Sequence, residues 1–310
     1  MSKPSSAETA AGMKQLFMKF THNKKQARKQ KEDILRIRQA ESKGQGRNKK
    51  GVLMDLKLLL NKFTIYHYMI SFLIVLILAS TFFFGFGVNS LLPVLITIIT
   101  TVSLDLFIGY YKSKKWELSQ SALISGLFIG GLLTQNLPFY MYVAAGIVAI
   151  LSKHLIKFRQ KHIFNPANLG ILITSIIFPT ALHTWWISSP LILVLIFGIF
   201  MVWRLKRFDL TLSFLISYFL INSIIILSRG AQFSDIYFTL INGSVIFFFS
   251  MFMLIEPRTN PTNKKQRIAY GVLVAILFII FQIYIPQHDL PLALAVGNVL
   301  VPILKNFIKG

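Results

Sequence analysis

The segment FRQKHIFNPANLGILITSIIFP, residues 158–179, runs from basic and polar residues directly into an apolar run. Asn165 and Pro166 stand at the junction, and Asn168 follows within one helical turn. Proline fits the first turn of a helix, and an asparagine just before it can cap the free N–H groups. We therefore expect a helix that begins at Pro166, with the positive end of its dipole available to an anionic or carbonyl-bearing ligand. The alternative is a plain helix start with no ligand.

The composition places most of the chain in a lipid bilayer. Of the 310 residues, 54% are hydrophobic and 14% are charged, and the mean hydropathy is +0.61, whereas soluble domains carry about 25% charged residues. The sequence contains no cysteine, which excludes disulfides, thiol nucleophiles and iron–sulfur ligation by this chain. It also lacks a phosphate-binding glycine loop, a nucleophile elbow and zinc-ligand spacing, so neither a hydrolytic enzyme nor a metal site is predicted.

Ten apolar runs are long enough, or nearly so, to cross a bilayer of about 30 Å. They lie at about 65–86, 90–110, 119–135, 138–156, 166–182, 186–203, 209–228, 236–255, 268–285 and 289–308. With ten spans, every one of the 33 Lys and Arg residues except Arg229 falls on one side of the membrane. Because basic residues mark the cytoplasmic side, we predict an all-α polytopic protein of a bacterial or archaeal cytoplasmic (inner) membrane, with both termini inside.

The net charge of +22 owes much to the start of the chain. Residues 1–62 are predicted to form a basic cytoplasmic N-terminal tail, largely disordered or folded as a surface helix, ahead of a membrane domain at 63–310. A basic segment next to a membrane is attracted to anionic lipid headgroups. We therefore assign the charge to lipid and topology, and no nucleic-acid partner is predicted.

Ten spans divide into two halves of five, at about 63–183 and 184–310. An odd number of spans in each half forces the halves into opposite orientations, which places a site between them near the midplane. Similar short motifs on the third span of each half, LISGL at 123–127 and LINGS at 240–244, support two inverted five-helix repeats.

Three charged residues in the first half are candidates for function. Asp105 lies within the second span, where an acidic residue is a candidate for an ion pathway. Lys153 and Arg159 belong to a cation-rich loop before Asn165, which is typical of a cytoplasmic loop and also suits an anion.

The segment EPRTNPT, residues 256–262, predicts a stiff turn after the eighth span, within which Glu256 and Arg258 pair locally. Other polar and aromatic residues stand singly near span ends, where we expect them at the membrane interface: His67, His183, His288, Trp185, Trp186, Tyr110 and Tyr111.

Two blocks, KHIFNPAN at 161–168 and EPRTNPT at 256–262, carry a resemblance to a known family. With their flanking sequence they resemble the RnfD component of the Rnf complex and its relative, the NqrB component of the sodium-pumping NADH:quinone reductase. The resemblance covers roughly residues 90–308 and implies two inverted five-helix halves, similar to urea and ammonium channels. It also implies electron transport coupled to ion movement, with other membrane or soluble redox subunits as partners.

Family members of this kind are flavoproteins, one of which holds FMN on a threonine of an S-G-A-T motif. That motif is absent here, so covalent FMN is not expected. The resemblance implies at most a non-covalent flavin (FMN or riboflavin), held by Asn165 and Asn168 with any phosphate facing Lys153, Arg159 or Arg258. The alternatives are a cofactor-free channel or transporter for a small solute, and a membrane scaffold or anchor protein with no catalytic residue of its own.

Overall fold

A computed structural model describes residues 63–158, 161–230, 232, 234 and 243–308 of the chain. The predicted basic tail at 1–62 and the candidate residue Arg159 lie outside the described residues.

The described residues form ten apolar helices. Their bounds are α1 Ile65–Phe83, α2 Leu91–Ser113, α3 Gln120–Leu132, α4 Phe139–Leu155, α5 Pro166–Ile177, α6 Leu191–Leu205, α7 Phe208–Ser228, α8 Ser244–Phe248 with a π-helical continuation Phe249–Met253, α9 Lys264–Tyr284 and α10 Asp289–Phe307. By length and composition, α1, α2, α7, α9 and α10 are able to cross a membrane, and the other five are shorter apolar helices. The prediction of a helical, multi-pass membrane protein is therefore confirmed.

One small element was not predicted. Strands β1 (Lys157–Phe158) and β2 (Lys161–His162) pair antiparallel in the connection between α4 and α5, with Lys157 opposite His162. This hairpin turns the chain back toward the bundle and brings His162 to a buried position.

The connection between α5 and α6 is longer than the sequence predicted. Helix α5 ends at Ile177 rather than near 182, because Pro179 disfavours the helical conformation of the residue before it, and Phe178 is extended. Helix α6 begins at Leu191 rather than 186, after a 3₁₀ turn over Trp186–Ser188 and a proline at position 190.

Both tryptophans of this connection are buried, so the prediction that they lie at the membrane interface is wrong. Trp185 is 4% exposed and Trp186 is 2% exposed, and the Trp186 Nε1–H donates to the carbonyl oxygen of Gly130 at 3.1 Å. The chain folds back here because Leu133 and His183 pair through their backbones. An indole that finds a hydrogen-bond partner inside the protein does not need the interface for it.

Helices of the first five pack mainly on one another: α2 lies on α3 and α4, and α4 lies on α5. Glycines permit the closest of these approaches. A Cβ atom added at Gly126 of α3 would lie 2.7 Å from the Cα of Ile98 on α2. One added at Gly130 of α3 would lie 2.5 Å from the Cα of Val94, also on α2. Small residues at helix crossings are typical of membrane bundles.

Among the last five helices, α9 packs on α7 and α10. Among the described residues, contacts between the two sets of five include three helix pairs. In the first pair, Phe72 of α1 stacks on Phe197 of α6 with ring centroids 4.4 Å apart. In the second pair, the ring centroids of Phe128 on α3 and Phe248 on α8 are 6.0 Å apart. The third pair is α5 and α10, joined by a hydrogen bond of Asn168. Each pair consists of helices with the same rank in the two sets.

Candidate functional site

The site is built around the start of α5. Asn165 is the N-cap, and its side-chain oxygen accepts a hydrogen bond from the backbone N–H of Asn168 at 3.1 Å, with Pro166 at the first helical position. Asn165 is 5% exposed, so this helix begins inside the protein rather than at its surface. The predicted cap is confirmed.

Asn168 connects the two sets of helices. Its side-chain nitrogen donates to the carbonyl oxygen of Pro291 on α10 at 2.8 Å, and the residue is fully buried. Its side-chain oxygen has no hydrogen-bond partner among the described residues. The amide nitrogen is thus used for helix packing and is not offered to a ligand.

A buried cavity of about 240 Å³ lies beside Asn165. Its polar wall includes Asn165, His162, Glu256 and Arg258. Apolar residues from the ends of α1, α3, α6 and α8 close it: Ile65, Met69, Ile124, Phe128, Leu205, Phe252 and Ile255. The cavity therefore lies where both sets of helices contribute side chains.

The two blocks that carry the family resemblance meet in this cavity. The His162 Nε2 atom lies 3.0 Å from the Glu256 Oε1 atom, although 94 positions separate the residues. The predicted local pair of Glu256 with Arg258 is therefore not the contact that forms, because the β1–β2 hairpin brings the histidine to the carboxylate. The Glu256 Oε2 atom is buried without a partner among the described residues, whereas Arg258 is exposed.

Asp105 and Lys153 belong to a separate ion cluster between α2 and α4. The Asp105 Oδ1 atom accepts from the Lys153 Nζ at 2.9 Å and lies 2.7 Å from the His154 Nε2. Lys153 also donates to the Ser119 hydroxyl at 3.0 Å. A buried carboxylate needs such partners to offset its desolvation, so the cluster explains why Asp105 is tolerated within a span. Its predicted place in an ion pathway stays a prediction.

The structure thus brings together some of the predicted site residues and separates others. Asn165 and Arg258 line the cavity, Asn168 packs behind it, and Lys153 and Asp105 bind each other. The participation of His162 and Glu256 was missed, although each lies in one of the two family blocks.

The cavity beside Asn165 is too small to enclose a whole flavin mononucleotide. Pockets that enclose drug-sized ligands have volumes of roughly 300–1,000 Å³, and this cavity has about 240 Å³. Lys153, predicted to face the phosphate, is bound to Asp105. The predicted non-covalent flavin stays a prediction.

A second polar cluster lies where α5 ends and α10 begins. It was also not predicted from the sequence. The His183 Nε2 atom is 3.5 Å from the Asp289 Oδ1, too far for a hydrogen bond, and has no other partner among the described residues. The His183 Nδ1 accepts from the Trp185 Nε1–H at 2.8 Å, and His288 lies 3.0 Å from the Ser175 hydroxyl. Burial, with a smaller effect of His288, lowers the pKa of His183 to about 4.

The helices and the polar cavity between them define a multi-pass helical membrane protein with a buried site at the junction of two helix sets. The sequence pattern of the NQR2, RnfD, RnfE family matches residues 59–190 and 186–310, so the chain belongs to this family. The resemblance stated from the sequence is confirmed.

Three curated relatives bear the name of the D component of an ion-translocating oxidoreductase complex. The protein of Aliivibrio salmonicida is 34% identical over 115 residues, which is 35% of this chain and 32% of the relative. The protein of Yersinia enterocolitica is 33% identical over 120 residues, which is 37% of this chain and 33% of the relative. The protein of Aeromonas salmonicida is 27% identical over 113 residues, which is 35% of this chain and 32% of the relative. The chain spans about a third of the length of the curated relatives it matches.

Proposed function

We propose that this chain is an integral membrane component of an ion-translocating oxidoreductase complex, with other membrane or soluble redox subunits as partners. The observation that carries the proposal is the convergence of the two family blocks on one cavity, where His162 meets Glu256 at 3.0 Å. The family match over residues 59–310 supports it.

The finer architecture belongs to the same proposal: ten crossings in two inverted halves, with the boundary near residue 183. Across a two-fold interface each contact is matched by the reverse contact, and helices of equal rank meet where they lie close to the axis. The contacts of α1 with α6, α3 with α8 and α5 with α10 are of this kind and support the proposal.

Glycine positions support the repeat independently. Gly146 is the eighth residue of α4, and a Cβ added there would lie 2.9 Å from the Thr100 Cγ2 on α2. Gly271 is the eighth residue of α9, and a Cβ added there would lie 2.7 Å from the Leu210 carbonyl oxygen on α7. In each half, the fourth helix therefore approaches the second helix through a glycine at the same position.

The orientation follows from charge. Basic connections alternate along the chain with connections that are nearly free of basic residues. The basic ones hold Lys112–Lys115, Lys153–Lys161, Arg204–Arg207 and Arg258–Arg267. The positive-inside rule then favours a cytoplasmic-membrane location with both termini in the cytoplasm. It also places the cavity at Asn165 near the cytoplasmic face.

Within such a complex, the chain's own residues would bind and orient rather than react. The Glu256 carboxylate, whose Oε2 atom is buried, and its His162 partner form a polar contact between the two halves. A ligand or ion that entered the cavity would meet this pair, the Asn165 helix start and the Arg258 guanidinium.

The test is purification of the tagged chain in mild detergent from the membranes of its own host, followed by visible spectroscopy. A component of a redox complex is expected to bring partners whose flavin or iron–sulfur absorption bleaches on reduction. A colourless chain without redox partners contradicts the proposal. Acid precipitation of the separated chain tests the flavin prediction, because a non-covalent flavin stays in the supernatant.

A further inference from the structure

A second, larger concavity lies on the outer surface, where α6 ends and α7 and α9 begin. Its volume is about 880 Å³, and it is open on one side. It shares no lining residue with the cavity at Asn165, so it is a different feature of the molecule. We call it the α6–α7–α9 groove.

The rim of the groove is strongly basic. Four basic residues, Arg204, Lys206, Lys264 and Arg267, line it together with one acidic residue, Asp209, which gives a net charge of +3. Asp209 is already bound, because its Oδ2 atom accepts from the Arg267 Nε and Nη2 atoms at 2.8 and 2.5 Å. Lys206 and Lys264 are exposed.

The floor of the groove is apolar and shallow. Hydrocarbon is supplied by Ile216 on α7 and by Ile268 and Val272 on α9. Room between these side chains is left by the small Ser213 and Ser217. The rim residue Trp203 is 55% exposed, as is common for indoles at a membrane interface.

We propose that the α6–α7–α9 groove binds one anionic phospholipid of the cytoplasmic leaflet. The phosphate headgroup contacts Lys206 and Lys264 on the rim, and an acyl chain lies along the floor beside Ile268. Basic pockets between membrane helices on the cytoplasmic side bind anionic headgroups in this way. The assignment to the cytoplasmic leaflet rests on the proposed orientation, whereas the binding itself does not depend on a redox function.

A protein segment is a poorer occupant than a lipid. Its backbone N–H and C=O groups would need hydrogen bonds along an apolar floor that offers few partners, and unsatisfied groups at membrane depth are costly. An acyl chain has no such requirement. The combination of a cationic rim and a hydrocarbon floor is complementary to both parts of an anionic lipid.

The experiment uses the full chain, stripped of lipid in detergent and mixed with phosphatidylglycerol or phosphatidylethanolamine of the same acyl chains. Bound lipid is counted by native mass spectrometry across a concentration series. We expect preferential binding of one phosphatidylglycerol. The change Lys206→Gln or Lys264→Gln should weaken it about fivefold each, since a basic residue near an anionic surface contributes about 1 kcal/mol.

Lys265→Gln is the matched control, because Lys265 is an exposed neighbour on the same helix and does not line the groove. It should leave lipid binding unchanged. Ser217→Leu fills the floor and keeps all rim charges, so it should weaken phosphatidylglycerol binding without reversing the preference over phosphatidylethanolamine. Equal binding of both lipids, or an equal loss in the Lys265→Gln variant, would overturn the proposal.

Discussion

At the scale of single residues, two buried amides hold the start of α5. The Asn165 side chain caps an N–H only three positions away. The partner of Asn168, the carbonyl oxygen of Pro291, is 123 positions away and depends on how α5 and α10 pack. The same holds for His162 and Glu256.

Replacing Asn165 with alanine should destabilise the protein more than replacing Asn263, which caps α9. Loss of a cap costs about 1 kcal/mol. At Asn165 the freed N–H of Asn168 is also buried away from water, which adds roughly 1–3 kcal/mol. At Asn263 the freed N–H belongs to the exposed Lys265. Thermal unfolding in detergent measures both.

Asn165→Ser keeps a neutral side-chain acceptor at the N-cap and should recover most of the loss in melting temperature. Equal losses of melting temperature in Asn165→Ala and Asn263→Ala would show that the buried cap does not stabilise the protein more than the exposed one.

The His183→Gln variant should lose less stability on acidification than the parent protein. The unfolded chain takes up the imidazole proton near pH 6.5, whereas the folded protein does so only near the depressed pKa of about 4. Between these values the unfolded state binds more protons, so stability falls as the pH falls, by up to about 3 kcal/mol.

The measurement is the melting temperature of both proteins in detergent from pH 7.5 to 4.5. Asp289 and His288 also face this cluster and are present in both proteins, so the informative quantity is the difference between the two slopes. Parallel slopes would show that His183 is not held neutral by burial.

At the scale of elements, the hydropathy of the chain predicted where the helices lie but not how the connection after α5 folds. Every described helix overlaps a predicted span. The burial of Trp185 and Trp186 was missed because a tryptophan near a span end has the same local sequence whether it faces lipid or the bundle. The β1–β2 hairpin was missed because two-residue strands carry no periodicity.

Gly130→Ala should destabilise the bundle, whereas Gly109→Ala should not. A Cβ at Gly130 would lie 2.5 Å from the Val94 Cα, so the backbones of α2 and α3 must separate, and overpacking costs about 1–3 kcal/mol. A Cβ at Gly109 meets no atom within 4 Å, and alanine favours helix by up to about 1 kcal/mol.

Melting temperatures of the two glycine variants, compared with that of the parent, decide this point. A Gly130→Ala variant as stable as Gly109→Ala would mean that α3 does not pack on α2 at the distance seen here.

At the scale of the whole molecule, the pairing of α1 with α6, α3 with α8 and α5 with α10 gives the two halves a common interface. The sequence predicted two inverted halves from span parity and basic loops, but not which helices form the interface. The cavity and the partly buried His162–Glu256 pair exist only because that interface brings the two family blocks together.

The central claim is that equivalent connections in the two halves face opposite sides of the membrane. The sequence has no cysteine, so single cysteines can be introduced without background. Gln287→Cys and Asn136→Cys mark the connections after α9 and α3, and Lys157→Cys and Thr262→Cys mark those after α4 and α8. All four positions are exposed.

The deciding measurement is labelling of these variants in intact spheroplasts with a membrane-impermeant maleimide. With inverted halves, Gln287→Cys and Asn136→Cys react from outside, and Lys157→Cys and Thr262→Cys react only after the membrane is permeabilised. Reaction of Gln287→Cys and Lys157→Cys from the same side would contradict this arrangement, because the two halves would then share one orientation.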